Sequence, residues 1–155
     1  MTEFKIHNTY GNKKEVFIPN DPENIKVYAC GPTVYDYAHI GNARMAVVCD
    51  LLIKVLKEIY PRVTYVSNIT DIDDKMIKTA RENHKTVTEI AEENTKIYFD
   101  QMNALNVLRP HSIPKVTEEI ATIISIIKKL QDREYAYVVE GDVYFRVRKS
   151  EYYGE

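Results

Sequence analysis

The chain has 155 residues, 45% of them hydrophobic and 28% charged, with 21 Lys and Arg against 23 Asp and Glu for a net charge of −2. That is enough for one domain, or for one and part of another, with a hydrophobic core and no disulfide help. The near balance of charge excludes a whole-molecule attraction to nucleic acid or to an anionic membrane, so any such partner must be read by a local surface. No apolar run of about 18 residues is present, and the opening MTEFKIHNTYGNKKEVF lacks the charged-then-apolar layout of a signal peptide. The expectation is a cytoplasmic protein without a membrane partner, with Cys30 and Cys49 as reduced thiols rather than a disulfide framework.

In chain order, FKIHNTY, Gly11-Asn12 and KKEVFIP read as two short strands around a permissive turn. After the loop PNDPEN, KVYAC is a short apolar strand ended by Gly31 and Pro32. From Ala43 to Tyr60 the stretch ARMAVVCDLLIKVLKEIY has no Gly or Pro and carries apolar residues around most of its circumference. It predicts a mostly buried helix closed by Pro61. RVTYVSNI is rich in β-branched and aromatic residues and reads as the next strand. Strand, helix and strand of these lengths make a βαβ unit with a right-handed crossover.

TDIDDKMIKTARENH opens another helix, with Asp71 as N-cap and Asp73 and Asp74 in the positive first turn, a role favoured over metal binding. Thr86 caps the following helix, which places Val87, Ile90, Ala91, Tyr98, Met102 and Leu105 near one face. RPHSIP breaks the chain. KVTEEIATIISIIKKLQDRE then predicts an amphipathic helix with the stripe Ile120, Ile123, Ile124, Ile127 and Leu130. YAYVVEGDVYFRV reads as a hairpin around Glu-Gly-Asp, its strand continuing into RVRK as a solvated face. His7, His84 and His111 have no partners at ligand spacing and default to surface, while Cys49, inside the apolar helix, reads as packing.

The chemistry concentrates in YACGPTVYDYAHIGNAR, residues 28–44. His39-Ile40-Gly41-Asn42 stands where a strand feeds a helix, and the unpaired N–H groups and positive dipole of a helix start stabilise phosphate. Gly41 lets a flat base approach the backbone. His39 and Asn42 add side-chain donors aimed at charge that builds on an α-phosphorus under attack. The plain alternative for the same four residues is helix capping. Cys30, on its own residues, reads as a small buried hydrophobe.

CGPTVYDYAHIGNAR followed by YVSNITDIDDK resembles the amino-terminal part of cysteinyl-tRNA synthetases, which are class I aminoacyl-tRNA synthetases, and the similarity runs through FKIHNTYGNKKEVF, LRPHSIPKVTEEI, GDVYF and YYGE. The resemblance implies the first half of a Rossmann-like α/β nucleotide-binding fold with parallel strands over residues 1–108, and the start of an α+β connective insertion over residues 109–155. His39-Ile40-Gly41-Asn42 would be the first class I signature, with Asn42 in place of its second histidine. Asn42 still donates a hydrogen bond but carries no proton or charge. By the same resemblance Cys30 is a zinc ligand, and the zinc takes the thiolate of substrate cysteine, which separates cysteine from the nearly isosteric serine better than shape can. Cys30, Gly31 and Thr70 would line the amino-acid side, a plain helix-start threonine being the alternative account of Thr70, and Tyr35 and Asp36 would border the site in roles that the sequence does not assign.

The implied activity is ATP-dependent: cysteine carboxylate attacks the α-phosphate of Mg2+-bound ATP to give cysteinyl-adenylate and pyrophosphate, and the acyl group passes to tRNA(Cys). The family's chain extends well past Gly154-Glu155, and three zinc ligands, the second signature Lys-Met-Ser-Lys-Ser and the tRNA-binding domain are absent here. The expectation is therefore one side of a site, inactive alone. Two other readings stand beside it: the related ligase of mycothiol synthesis, which activates cysteine in the same way, and a non-catalytic folding or partner-binding fragment.

Overall fold

The computed structural model describes residues 3–154. Its elements in order are β1 (Lys5–Asn8), β2 (Lys13–Val16), β3 (Ile25–Ala29), α1 (Ile40–Ile59), β4 (Val63–Ser67), α2 (Asp74–Glu82), α3 (Val87–Ala104), α4 (Ile120–Asp132), β5 (Ala136–Val139) and β6 (Asp142–Phe145). The chain divides into two compact units. One is Asn20–Glu119, and the other combines the stretch up to Pro19 with the stretch from Ile120 onward.

In the Asn20–Glu119 unit, β3 and β4 pair in parallel from Ile25↔Val63 to Ala29↔Ser67, joined through α1, so the expected strand–helix–strand unit is present in a mixed α/β fold. Every second residue of β4 (Val63, Tyr65, Ser67) is buried, as a strand covered on one face requires. The segment predicted to break the chain instead runs parallel along the other edge of β4: His111 N–H donates to Tyr65 O, Ser67 N–H to Ser112 O, and Ile69 N–H to Pro114 O. Only isolated bridges form there, at Val66↔Ser112 and Ile69↔Lys115. Pro110 and Pro114 lack N–H groups, so a continuous ladder is impossible.

Helix α1 starts at Ile40, one turn earlier than the apolar run predicts, because His39 and Asn42 cap it. Its buried residues, Ala46, Asp50, Ile53 and Leu56, lie on one face. The expectation of burial around most of the circumference fails: Val47, Val48 and Leu51 are exposed, Leu51 by 62%. Asp50 ties this face to the chain beyond α3, since its Oδ1 accepts Leu108 N–H at 2.9 Å and its Oδ2 pairs with Lys54 at 2.6 Å. Helices α2 and α3 close the core, in which Val34, Ala46, Ile69, Met76, Ile90, Tyr98 and Met102 cluster. Thr86 caps α3 as predicted, and it does so in a reciprocal box with Glu89, although Leu105 at the helix end is exposed.

Asp73, not Asp71, caps α2, its Oδ1 accepting Met76 N–H at 2.8 Å. Asp71 is buried and its carboxylate accepts both the N–H and the hydroxyl of Thr117, at 3.0 and 2.5 Å. A spacing argument cannot see Thr117, which lies 46 residues away.

In the other unit, β1 and β2 form the expected hairpin, with Asn12 rather than Gly11 in the left-handed region at φ 47°. Helix α4 begins at Ile120, five residues after the predicted start, because Lys115–Glu119 is spent on the bridge to Ile69 and on turns. Ile120, Ile123 and Ile124 of its stripe are exposed, while Ile127 and Leu130 are half-buried. β5 and β6 form the second hairpin around Glu140 and Gly141, both at positive φ (51° and 95°), which is the backbone of a type I′ turn. Val147–Lys149 forms a 3-10 turn, so the strand does not continue into RVRK.

Candidate functional site

Where β3 ends, the chain must pass very close to the end of β4. A Cβ on Gly31 would lie 1.6 Å from the carbonyl oxygen of Asn68, so only glycine fits. The two strand ends are then stitched by Thr70 N–H to Pro32 O (3.0 Å) and Val34 N–H to Thr70 O (3.2 Å). Asn68 is the hub of this junction. Its Oδ1 accepts Gly31 N–H at 2.9 Å and Tyr28 hydroxyl at 3.1 Å, and its Nδ2 donates to Thr70 Oγ1 at 3.3 Å.

Cys30, Gly31 and Thr70 are thus brought together at the carboxyl ends of two parallel strands, the usual ligand-binding edge of such sheets. Cys30 is exposed there, which corrects its reading as a buried hydrophobe. Asn68, by contrast, reads from the sequence only as a polar residue after a strand. The polar run at the end of the apolar strand was the available signal, and its partners lie as far as 40 residues away.

The second group of residues is assembled by the start of α1. His39 is the N-cap: its Nδ1 accepts Gly41 N–H at 3.0 Å, and its own N–H donates to Asn42 Oδ1 at 3.1 Å. The neutral imidazole therefore carries its proton on Nε2, which faces away from the cap as a donor. Asn42 likewise keeps its amide NH2 free among the described residues. A Cβ on Gly41 would meet His39 Cε1 at 2.7 Å, so this glycine makes room for the imidazole itself. Ile40 is exposed by 85% and touches none of this.

A pocket of about 170 Å3 opens beside the cap, lined by Thr33, Tyr35, Asp36, His39, Asn42 and Tyr98 among others. Its wall is held in place by buried Asn94, whose Nδ2 donates to Val34 O at 3.0 Å. Asp36 Oδ1 accepts Tyr37 N–H at 2.7 Å, and Lys75 Nζ lies 5.2 Å from the Tyr35 ring centre. The lining contains a carboxylate, Asp36, and neither lysine nor arginine. Cys30, Gly31, Ile40, Gly41 and Thr70 do not line this pocket. Residues read as one site therefore fall into two groups, one at the strand junction and one at the helix cap, linked by the Pro32–Thr33 segment.

The strand junction does not make up a metal centre by itself. Among the described residues no group of three or more His, Cys, Asp or Glu side chains converges as a metal set, and one thiolate does not close a tetrahedral zinc shell. Cys49 is half-buried against Met45, with Sγ to Sδ at 3.6 Å, and burial pushes its thiol pKa up. His111 is more than surface, since its Nδ1 accepts Tyr65 N–H at 3.0 Å.

Comparison with known proteins places this geometry in a context. Residues 16–155 match the family described as tRNA synthetases class I (C) catalytic domain. Three similar curated proteins, each named cysteine–tRNA ligase, come from Geobacillus sp. (strain WCH70), Geobacillus thermodenitrificans (strain NG80-2) and Anaplasma phagocytophilum (strain HZ). They are 49%, 48% and 46% identical over 155, 155 and 150 residues, that is 100%, 100% and 97% of this chain. The chain covers 33%, 33% and 32% of their respective lengths, so it spans about a third of the relatives it matches.

Proposed function

The chain belongs to the class I (C) tRNA synthetases by its match to their catalytic domain, and from that premise we propose that it forms one side of the active site of a cysteine–tRNA ligase. In this reading the β3–α1–β4 unit belongs to the first half of a Rossmann-like fold, residues 1–108, and residues 109–155, which include the segment beside β4, begin the connective insertion. The protein acts in the cytoplasm on cysteine, Mg2+-bound ATP and tRNA(Cys).

The observation that carries the proposal is the division of labour at the helix cap. His39 uses Nδ1, and Asn42 uses Oδ1, to hold the start of α1. That leaves His39 Nε2–H and the Asn42 amide as oriented neutral donors beside the pocket. When cysteine carboxylate attacks the α-phosphorus, negative charge grows on its non-bridging oxygens, and fixed donors that need no reorganisation stabilise that state more than the ground state. Gly41 and Ile40 supply backbone at the same helix start, where the dipole favours phosphate. Cys30, Gly31 and Thr70 border the amino acid, Tyr35 and Asp36 the nucleotide. We assign Cys30 as one thiolate donor of a zinc set completed outside this chain.

The test is cysteine-dependent ATP–pyrophosphate exchange in the whole protein. His39→Ala is expected to lower kcat by about 10²–10³, the usual loss for a transition-state donor, with the KM for cysteine little changed. An equal loss in cysteine binding would refute the assignment. The 155-residue chain alone is expected to show no exchange above its own His39→Ala control, because the pocket lining offers no cation for the departing pyrophosphate. Exchange by the chain alone would overturn that. Transfer to tRNA(Cys), rather than to an amino-sugar acceptor, separates the synthetase from the mycothiol ligase.

A further inference from the structure

A second cavity adjoins the pocket at the helix cap. It encloses about 320 Å3, inside the ~300–1,000 Å3 range of small-molecule sites. All of its wall comes from residues 32–110, so it is complete within this chain's own Asn20–Glu119 unit. Buried Tyr65, Ile69 and Met102 give it an apolar interior, and Asn103 and Arg109 lie where it meets solvent.

Two groups in this wall make no hydrogen bond or ion pair with the protein among the described residues. The Arg109 guanidinium lies over the Phe99 ring, 4.5 Å from its centre, and makes no salt bridge among the described residues. The nearest carboxylate in the lining, Asp100, is already paired with Lys96 at 2.7 Å. Tyr98 is only 8% exposed, yet its hydroxyl makes no hydrogen bond among the described residues. Burial pushes its pKa up to about 12, so it stays a neutral donor.

We propose that this cavity binds a small monocarboxylate with a planar apolar body, the body lying among Tyr65, Tyr98 and Phe99 and the carboxylate taken by Arg109. Aromatic walls favour a flat body. A single guanidinium matches one carboxylate in a bidentate geometry, and Asp100 in the same lining disfavours a phosphate dianion. Pro32 and Tyr98 line both this cavity and the pocket at His39, so occupancy is felt at the helix cap through shared side chains.

The experiment is an amide-resolved NMR titration of the 155-residue chain with 2-naphthoate, and with 2-naphthalenemethanol as the uncharged comparison. The expected result is saturable change confined to residues 65–69, 98–110 and the neighbouring cap. The alcohol should bind about tenfold more weakly, as should 2-naphthoate to Arg109→Gln, the usual penalty for losing a charged hydrogen bond. Tyr98→Phe should weaken 2-naphthoate severalfold. No saturation by 2-naphthoate, equal binding of acid and alcohol, or changes centred outside these residues would overturn the proposal. The acid-against-alcohol comparison uses the unaltered chain, so it decides the matter even where a variant fails to fold.

Discussion

Replacing Gly31 by alanine is the sharpest test of the strand junction. The added Cβ would sit 1.6 Å from Asn68 O and 2.7 Å from Asn68 C, both backbone atoms. Carbon and oxygen rest at about 3.5 Å, so the ends of β3 and β4 must separate by roughly 2 Å. A separation of that size breaks the Gly31 N–H bond to Asn68 Oδ1 and strains the bonds of Thr70 to Pro32 and of Val34 to Thr70. Overpacking against backbone and the loss of two or three hydrogen bonds together cost about 3–6 kcal/mol, comparable with the whole ~5–15 kcal/mol stability of a small domain. Urea unfolding followed by far-UV circular dichroism measures it, with Gly11→Ala as control, where the new Cβ meets only the flexible end of Lys13 at 3.1 Å. With a slope of ~1–3 kcal/mol per molar, the Gly31→Ala midpoint should fall by about 2 M or the chain should not fold. A midpoint matching the Gly11→Ala control would show that the strand ends do not approach as described.

Other outcomes follow from the same contacts. Asp71→Ala should destabilise the chain by about 2–3 kcal/mol through its two bonds from Thr117, and Asp73→Ala by about 1 kcal/mol as a lost N-cap; the reverse order in thermal or urea unfolding would restore Asp71 as the cap. Burial raises the Tyr98 pKa to about 12 and raises that of Tyr65 in the same direction. The Tyr98 contribution is complete below the unfolded value near 10 and is lost as pH rises through 12, by on the order of 2 kcal/mol, and that of Tyr65 is lost in the same direction. Urea midpoints at pH 9 and pH 11.5 should converge partly in Tyr98→Phe, and an unchanged decline would refute this. A thiol reagent at neutral pH should label exposed Cys30 first and Cys49, half-buried with a raised pKa, slowly; a fast phase surviving in Cys30→Ser would reverse that order.

What the sequence reveals of this fold is what local patterns encode. Thr86 stands just before an apolar-periodic run and caps α3 as the sequence predicts, and the structure adds Glu89 as the other half of a reciprocal box. The β-branched run RVTYVSNI becomes the strand that pairs with KVYAC. The misreadings arise where a distant partner overrides a local rule. Asp71 satisfies every N-cap criterion, yet Thr117 takes its carboxylate and Asp73 caps instead. RPHSIP has the composition of a breaker, but the free edge of β4 offers N–H and C=O groups that even a proline-interrupted segment can bridge. Apolar residues around most of the circumference of α1 predict a mostly buried helix, and Val47, Val48 and Leu51 remain exposed because composition counts apolar residues without saying what faces them.

At the candidate site the sequence posed two explanations for His39-Ile40-Gly41-Asn42, capping or phosphate contact, as alternatives. The atoms make them compatible. A histidine has two ring nitrogens and an asparagine amide has two ends; the cap occupies His39 Nδ1 and Asn42 Oδ1, which are acceptors, and spares Nε2–H and NH2, which are donors. A helix start needs acceptors for its unpaired N–H groups, while a phosphate needs donors, so the two tasks never compete for the same atom. An aspartate at position 42 could close the same cap but would present a negative charge to the phosphate, and an alanine would do neither. The variant Asn in place of a histidine thus retains both functions at position 42 with a side chain that carries no charge, so the donor it offers there is set by the geometry of the cap.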